Sequence, residues 1–427
     1  MKRTGVVVIG GGQAGLAMSR LLLDRRIDHV VLERGRVAER WRTERWDSLR
    51  LLTPNWMARL PGHAPRGADP DGFMTMPEVI GFLEDYARSF DAPVETGTTV
   101  SRVTRAAGGY RVQTDRGTWA APHVVVATGY CDRPRVPAIS RGLYASIVQL
   151  APGHYRNLSQ LPDGGVLVVG ASSSGVQLAD EIHASGRPVT LAVGRHTRLP
   201  RTYRGRDILW WMDRMGVLGE SIEHVFDVEA SRRQPSLQLV GRPDRRTLGL
   251  LELRAQGVRV VGRAIDAAGS SVTFDDDLLA TTAAADYKLA GLLRRIDRFV
   301  RDQRLEARVE PPEPFEPSWP AFEGADRRRQ IDLGTEGIRT VIWATGYRRE
   351  YPWLQVPGVL DGAGELRHRG GVTPSPGLYV LGLQFQRRRN SAFIDGVGDD
   401  ARAIAEHLDG RRMGRHDDRA VDHTLSL

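Results

Sequence analysis

The stretch that decides the fold is Gly5-Val6-Val7-Val8-Ile9-Gly10-Gly11-Gly12-Gln13-Ala14-Gly15. Its first half is an unbroken β-branched run, the pattern of a strand buried on both faces. Its second half places glycine at 10, 12 and 15, and Leu16, Ala17, Leu21 and Leu22 follow at helical spacing. A second apolar strand spans residues 29–33. Strand, tight turn, helix and strand make a βαβ unit. In such a turn one glycine serves the sharp bend, one lets the backbone approach a pyrophosphate, and one lets helix and strand pack closely. The helix N-terminus then turns its free N–H groups toward the phosphates. Glu33 ends the second strand, where a carboxylate accepts hydrogen bonds from the ribose hydroxyls of an adenosine.

The same order returns about 160 residues later: strand 166–169, turn 170–175, helix 176–185, strand 189–193. Gly170, Ser172 and Gly175 stand where Gly10, Gly12 and Gly15 stand, with Ser174 beside them. No acid closes this second unit. Arg195 lies just past its strand, followed by His196, Thr197, Arg198 and Arg201. A ribose 2′-phosphate calls for arginine, and a free 2′-hydroxyl for a carboxylate. The first site therefore suits an adenosine without a 2′-phosphate and the second NADPH; two such sites in this order are the architecture of a two-dinucleotide flavoprotein, with FAD in the first.

The expected fold class is α/β, with two Rossmann-like dinucleotide-binding domains, for FAD and NADPH, the second inserted into the first. The spacing predicts a first part of the FAD domain at 1–158 and an NADPH domain at 159–335. Residues 336–427 return to the FAD domain, and a less regular insertion falls around 215–330.

The 427 residues suffice for two or three domains with cores of their own. Hydrophobic residues make up 41% and charged residues 26%, as in an ordinary globular protein. The net charge is +8, yet Lys2 and Lys288 are the only lysines among 60 basic residues, and the arginines are spread along the chain. That spread argues for a coding bias rather than a nucleic-acid arm, so no nucleic-acid partner is expected. Cys131 is the single cysteine. It excludes an internal disulfide, a redox thiol pair and a cysteine-based zinc site, and no metal site is expected. No apolar run reaches membrane-spanning length, so no stable membrane insertion is expected. Met1-Lys2-Arg3 before the first strand mimics a leader, but the glycines cut its apolar stretch short; the expected compartment is the cytoplasm.

Between the glycine turns the pattern predicts a helix at 77–90 and a hairpin of 98–103 with 110–114. A strand at 124–127 ends in Thr128-Gly129, and a matching one at 340–344 ends in Thr345-Gly346. Farther on stand a helix at 285–300 and a proline-rich loop at 311–320.

Several of these segments carry a specific resemblance: Gly10 to Gly15, Trp41 to Pro54, Ala127-Thr128-Gly129, Gly170 to Gly175, Arg195 to Pro200, and Ala344-Thr345-Gly346-Tyr347. Together they resemble the class B flavoprotein monooxygenases, and within them the short bacterial flavoproteins related to plant indole-pyruvate monooxygenases. The resemblance implies that 41–54 packs beside the isoalloxazine, with Trp41 and Thr53 among its contacts; for Trp41, Trp46 and Trp56 core packing serves as well. It implies cofactor contacts from Gly10, Gly12, Gln13, Gly15, Glu33 and Arg34 in the first site. Gly170, Ser172, Ser174, Gly175, Arg195 and His196 would make those of the second. Thr128, Gly129, Thr345 and Gly346 would meet the cofactors at the domain crossings, and Asp399 would do so near a helix start. The chain departs from the family where a Phe-x-Gly, three residues, then His fingerprint is usual: residues 139–149 hold Gly142 but no histidine, and Gln149 stands near its place. Arg50 and Gln149 are the candidates for catalytic contacts.

The resemblance implies an NADPH-dependent, FAD-containing monooxygenase that transfers one oxygen atom from O2 to a small organic substrate through a C4a-(hydro)peroxyflavin. An NADPH-dependent flavin reductase or oxidase, passing electrons to an acceptor or producing H2O2, would share every motif. So would a non-catalytic nucleotide-binding sensor. Expected partners are a small-molecule substrate and O2; a homodimer is left open.

Overall fold

The computed structural model describes residues 1–67, 69–323 and 329–422, with side chains as far as Gly410. Residues 324–328 of the expected insertion and 423–427 of the return segment lie outside the described residues. Val6–Ile9 is a strand buried at every position, as its β-branched run demands. It sits at the centre of a parallel five-stranded sheet ordered Leu378–Val380, His123–Val126, Val6–Ile9, His29–Leu32, Val94–Glu95. Alternate side chains leave by opposite faces. Val6 and Val8 pack under helices Gln13–Asp24, Met76–Arg88 and Val397–Asp422. Val7 and Ile9 pack on an antiparallel meander, Val100–Ala106, Gly109–Thr114 and Gly117–Ala121. Burying each such side chain contributes about 1.5–3 kcal/mol, so both faces need a covering layer.

A second parallel five-stranded sheet repeats the scheme, in the order Val148–Leu150, Ile338–Trp343, Gly165–Val169, Val189–Ala192, Arg259–Val261. Val166 and Val168 pack against helices Ser173–Ala184 and Leu250–Gln256. Leu167 and Val169 face a second meander, Ala264–Ala268, Ser271–Phe274 and Gln330–Asp332. All strands of this sheet fall, in sequence, between His123–Val126 and Leu378–Val380 of the first. The chain passes between the sheets twice, and the two passages pair: Tyr347–Arg348 lies antiparallel to Arg133–Pro134. Val148–Leu150 already belongs to the second sheet, ahead of the spacing-based boundary at 158.

The helix expected at 77–90 runs Met76–Arg88, with Glu78 accepting the Thr75 N–H at 2.7 Å to cap it. The one expected at 285–300 is longer, Leu278–Asp302. The first meander carries a third strand beyond the expected hairpin, and the second was not legible in the sequence. No helix among the described residues is long and apolar enough to cross a membrane.

Candidate functional site

The two glycine turns have the same construction. Gly10 has φ 112°, and a Cβ there would lie 2.6 Å from the Ala127 carbonyl oxygen; Gly170 has φ 108°, and its Cβ would lie 2.4 Å from that of Ala344. A Cβ on Gly15 or Gly175 would stand 1.8 Å from the carbonyl oxygen of Gly10 or Gly170. Each Ala-Thr-Gly turn thus abuts a glycine turn, and the third glycine is required by packing. Gly12 differs: a Cβ there would meet nothing within 4 Å, because it borders a cavity.

That cavity has a volume of about 970 Å³ and runs between the two sheet units. At one end it touches Gly10, Gly12 and Gln13, and at another Ser173 and Ser174, so the starts of both glycine-turn helices open on one chamber. Of the sequence candidates it also gathers Glu33, Arg34, Trp41, Arg50, Thr53, Thr128 and Gly129. Glu33 is buried, and its carboxylate accepts the N–H groups of Gly11 at 2.6 Å and Gly35 at 2.9 Å, which fixes it at the strand end. Trp41 donates its indole N–H to Gln13 Oε1 at 3.3 Å and carries the Arg45 guanidinium 5.2 Å over its ring. Arg50 donates to the Phe73 carbonyl at 3.0 Å. Arg34 pairs with Glu44 at 3.0 Å.

The basic stretch after the second unit divides by role. Arg195 is exposed and forms no ion pair among the described residues. Arg198 is taken by Asp286 and the Glu316 carbonyl. Arg201 is 1% exposed and holds both oxygens of Asp207, at 2.5 and 2.6 Å. His196 is buried, donates from Nδ1 to the Gly194 carbonyl at 3.1 Å, and has its pKa lowered by burial. Ser172 caps the second helix with no hydrogen bond from its own hydroxyl.

Other candidates stand apart from the chamber. Gly15, Gly170, Ser172, Gly175, Arg195 and His196 do not line it, nor do Thr345 and Gly346. Thr345 donates its hydroxyl to the Arg135 carbonyl at 2.5 Å, which ties the two chain passages together. Gln149 lies on the edge strand of the second sheet, where Nε2 donates to the Ser140 carbonyl at 3.1 Å and Oε1 accepts the Trp343 indole at 2.9 Å. Asp399 is exposed and pairs with Arg388 and Arg402. Its neighbour Asp400 is wholly buried, and burial pushes its pKa up to about 6.

Among the chamber's walls that sequence reading missed are Tyr130, Cys131 and Asp132 just after the first Ala-Thr-Gly, a stretch at 217–237, and Lys288, Leu292 and Arg295 on one long helix. Only the helix had a signal, its apolar spacing.

Residues 7–208 match the family described as Pyridine nucleotide-disulphide oxidoreductase. The disulphide chemistry in that description has no thiol pair here, since Cys131 is alone. An oxidoreductase described as CzcO-like, from Geobacillus kaustophilus, is 33% identical over 406 residues, 94% of this chain and 97% of that one. Indole-3-pyruvate monooxygenase YUCCA6 of Arabidopsis thaliana is 28% identical over 431 residues, 95% and 90% of the two chains. Among solved structures, a flavin-containing monooxygenase from Stenotrophomonas maltophilia shares the fold with a TM-score of 0.67 at 20% identity, over 96% of this chain and 99% of that one. The chain belongs to the CzcO-like oxidoreductases.

Proposed function

We propose that this chain is an NADPH-dependent, FAD-containing monooxygenase that transfers one oxygen atom from O2 to a small organic substrate. The observation that carries the reading is a chamber on which both helix starts open, one beside Glu33 and the other one strand away from the exposed Arg195. The residues fit the two cofactors. The open side of Gly12 is a cradle that a single methyl would intrude upon, and Glu33 is held in place to receive ribose hydroxyls. Arg195 is exposed and forms no ion pair among the described residues, where a 2′-phosphate would call for a cation. We assign FAD to residues 1–158 and 336–427 and NADPH to 159–335, each in a Rossmann-like domain, with the strand pairing favouring a crossing before Val148.

Bound FAD and NADPH supply hydride and oxygen chemistry, and the protein supplies binding, orientation and exclusion of water. Gly10, Gly12 and Gln13 offer backbone donors to a pyrophosphate. Trp41 and Arg45 make a flat cationic wall along the chamber. Leu52, Met212, Leu289 and Phe393 make it apolar where a substrate would lie, which keeps water from a reactive centre.

The test is stoichiometric. NADPH and O2 consumption, H2O2 and oxygenated product are measured with thioethers, amines and ketones. The expectation is one NADPH and one O2 per product, with little H2O2. Conversion of all O2 to H2O2 with every compound would assign the chain to the oxidases. In parallel, Arg195→Ala is expected to raise the KM for NADPH by about tenfold or more, since a charge-assisted contact contributes about 1.5–3 kcal/mol. The KM for NADH should stay unchanged. Equal losses with both coenzymes would place the 2′-phosphate elsewhere.

A further inference from the structure

Residues 217–237 cross the chamber as one of its walls, with Val217, Leu218, Glu220, Arg232, Pro235 and Leu237 facing it. Their construction is unlike that of the other walls. From Gly219 through Leu237 no residue is buried, and the helices there are the short Ile222–His224 and Val228–Arg232. Between Leu218, which is anchored in the core, and the buried Gln238, the segment has no buried apolar anchor, and such a segment opens at low free energy.

This segment is fastened to residues 385–390 of the return segment. The Ile222 N–H donates to the Arg387 carbonyl at 2.9 Å, the Arg389 N–H to that of Glu220 at 3.3 Å, and the Asn390 N–H to that of Leu218 at 3.1 Å. Ser221 and Arg388 face each other in antiparallel register. An ion pair joins Arg389 to Glu220, with the guanidinium resting 5.1 Å from the Phe385 ring. Arg232 Nε adds a bond to the Phe385 carbonyl at 3.3 Å.

The two sides are unequally anchored. The return side is braced from behind: Ser391 Oγ accepts the N–H groups of Arg387 and Arg388, and the Arg387 guanidinium donates to the Gly370 carbonyl. The other side hangs from helix Ile208–Arg214, which ends at Gly216. Gly216, with φ 72°, closes that helix: the Val217 and Leu218 N–H groups return to the Met212 carbonyl, and the Leu218 side chain is 3% exposed in the core. Gly219, exposed and just past that anchor, is the place where the chain can swing.

We propose that residues 219–237 form a lid over the chamber, hinged at Gly219 and latched by the 220–222/387–389 pairing and the Glu220–Arg389 ion pair, and that its opening admits small organic molecules. Closure would seal the apolar part of the chamber from water. The lid stands independently of the coenzyme assignment.

Cys131, the single cysteine, lines the chamber and reports on access to it. The experiment measures its labelling by N-ethylmaleimide in the purified holoenzyme, with the site identified by peptide mass spectrometry. In the double variant Ser221→Cys/Arg388→Cys, the paired Cα atoms stand about 4.5 Å apart, within the reach of a disulfide. Added diamide takes two electrons and two protons from the two thiols, forms the S–S bond and is itself reduced to the hydrazine. Cys131 labelling is expected to fall about tenfold or more once the lid is cross-linked, relative to either single variant under the same oxidant. Glu220→Gln, which removes one latch, is expected to raise labelling by roughly two- to fivefold. Labelling unchanged by the cross-link, or a pair that does not cross-link, overturns the lid. Because the readout uses no NADPH, it keeps its meaning whatever becomes of the monooxygenase reading.

Discussion

Gly12 and Gly15 play equal parts in the motif and unequal parts in the molecule. Gly12 has φ −89°, which any residue adopts, and open space on its Cβ side. Gly15 has the Gly10 carbonyl oxygen 1.8 Å from where its Cβ would be. Gly12→Ala is therefore expected to fold, losing about 1 kcal/mol at most at the helix N-cap, and to purify with little flavin. Gly15→Ala is expected to lose the turn itself and yield little folded protein. The ratio of visible to ultraviolet absorbance gives flavin content, and circular dichroism gives folding. Full flavin content in folded Gly12→Ala would move the FAD site. The arginines show the same divergence: Arg195, Arg198 and Arg201 read alike, yet Arg198 and Arg201 are engaged by Asp286 and Asp207, and Arg195 has no ion pair among the described residues.

At the scale of elements, Gln149 shows how a site candidate becomes part of a sheet. Val148–Leu150 is the edge strand beside Ile338–Trp343, and the Gln149 amide bridges the Ser140 carbonyl and the Trp343 indole. Trp343 is 1% exposed, whereas Gln149 itself is exposed to solvent, so water can reach the indole N–H once the amide is removed. Gln149→Ala is expected to lower stability by about 0.5–1.5 kcal/mol, the net worth of such a hydrogen bond. The rate of flavin reduction by NADPH should stay at the wild-type value. Urea unfolding and stopped-flow absorbance read the two quantities. A large fall in rate without loss of stability would return Gln149 to the chemistry.

The whole molecule has a pH dependence set by carboxyls that folding buries. Asp400, beneath the start of the C-terminal helix, faces Ser391, Arg387, Arg388 and Asp399, and burial outweighs the arginines to bring its pKa to about 6. Asp395, facing Arg59, Asp213 and Asn390, is also raised to about 6. An unfolded aspartate titrates near 3.9, so between about pH 4 and pH 6 the native state binds more protons than the unfolded state. Stability from these two groups is therefore fully present below about pH 4 and lost as pH rises through 6. Asp400→Asn is expected to be more stable than wild type at pH 7.5, by about 2–3 kcal/mol at most, and equal to it at pH 4. Thermal melts across that range check it; a gap that widens toward acid would reverse the sign.

What the sequence determined by itself was local: two βαβ units, their glycine turns, the acid after one and the arginine after the other. Side-chain period, β-branched runs and the steric demands of a turn act over a few residues, so they can be read in line. Position relative to distant chain could not be. Whether Asp399 or Asp400 is buried depends on how one helix start meets residues 387–391, and the two differ by a single step in sequence. The chamber wall at 217–237 has no motif, because its place comes from backbone pairing with residues some 170 positions away. Cys131 faces the chamber because two chain passages cross beside it. Burial and free space are properties of assembled surfaces, and only the tertiary structure assembles them.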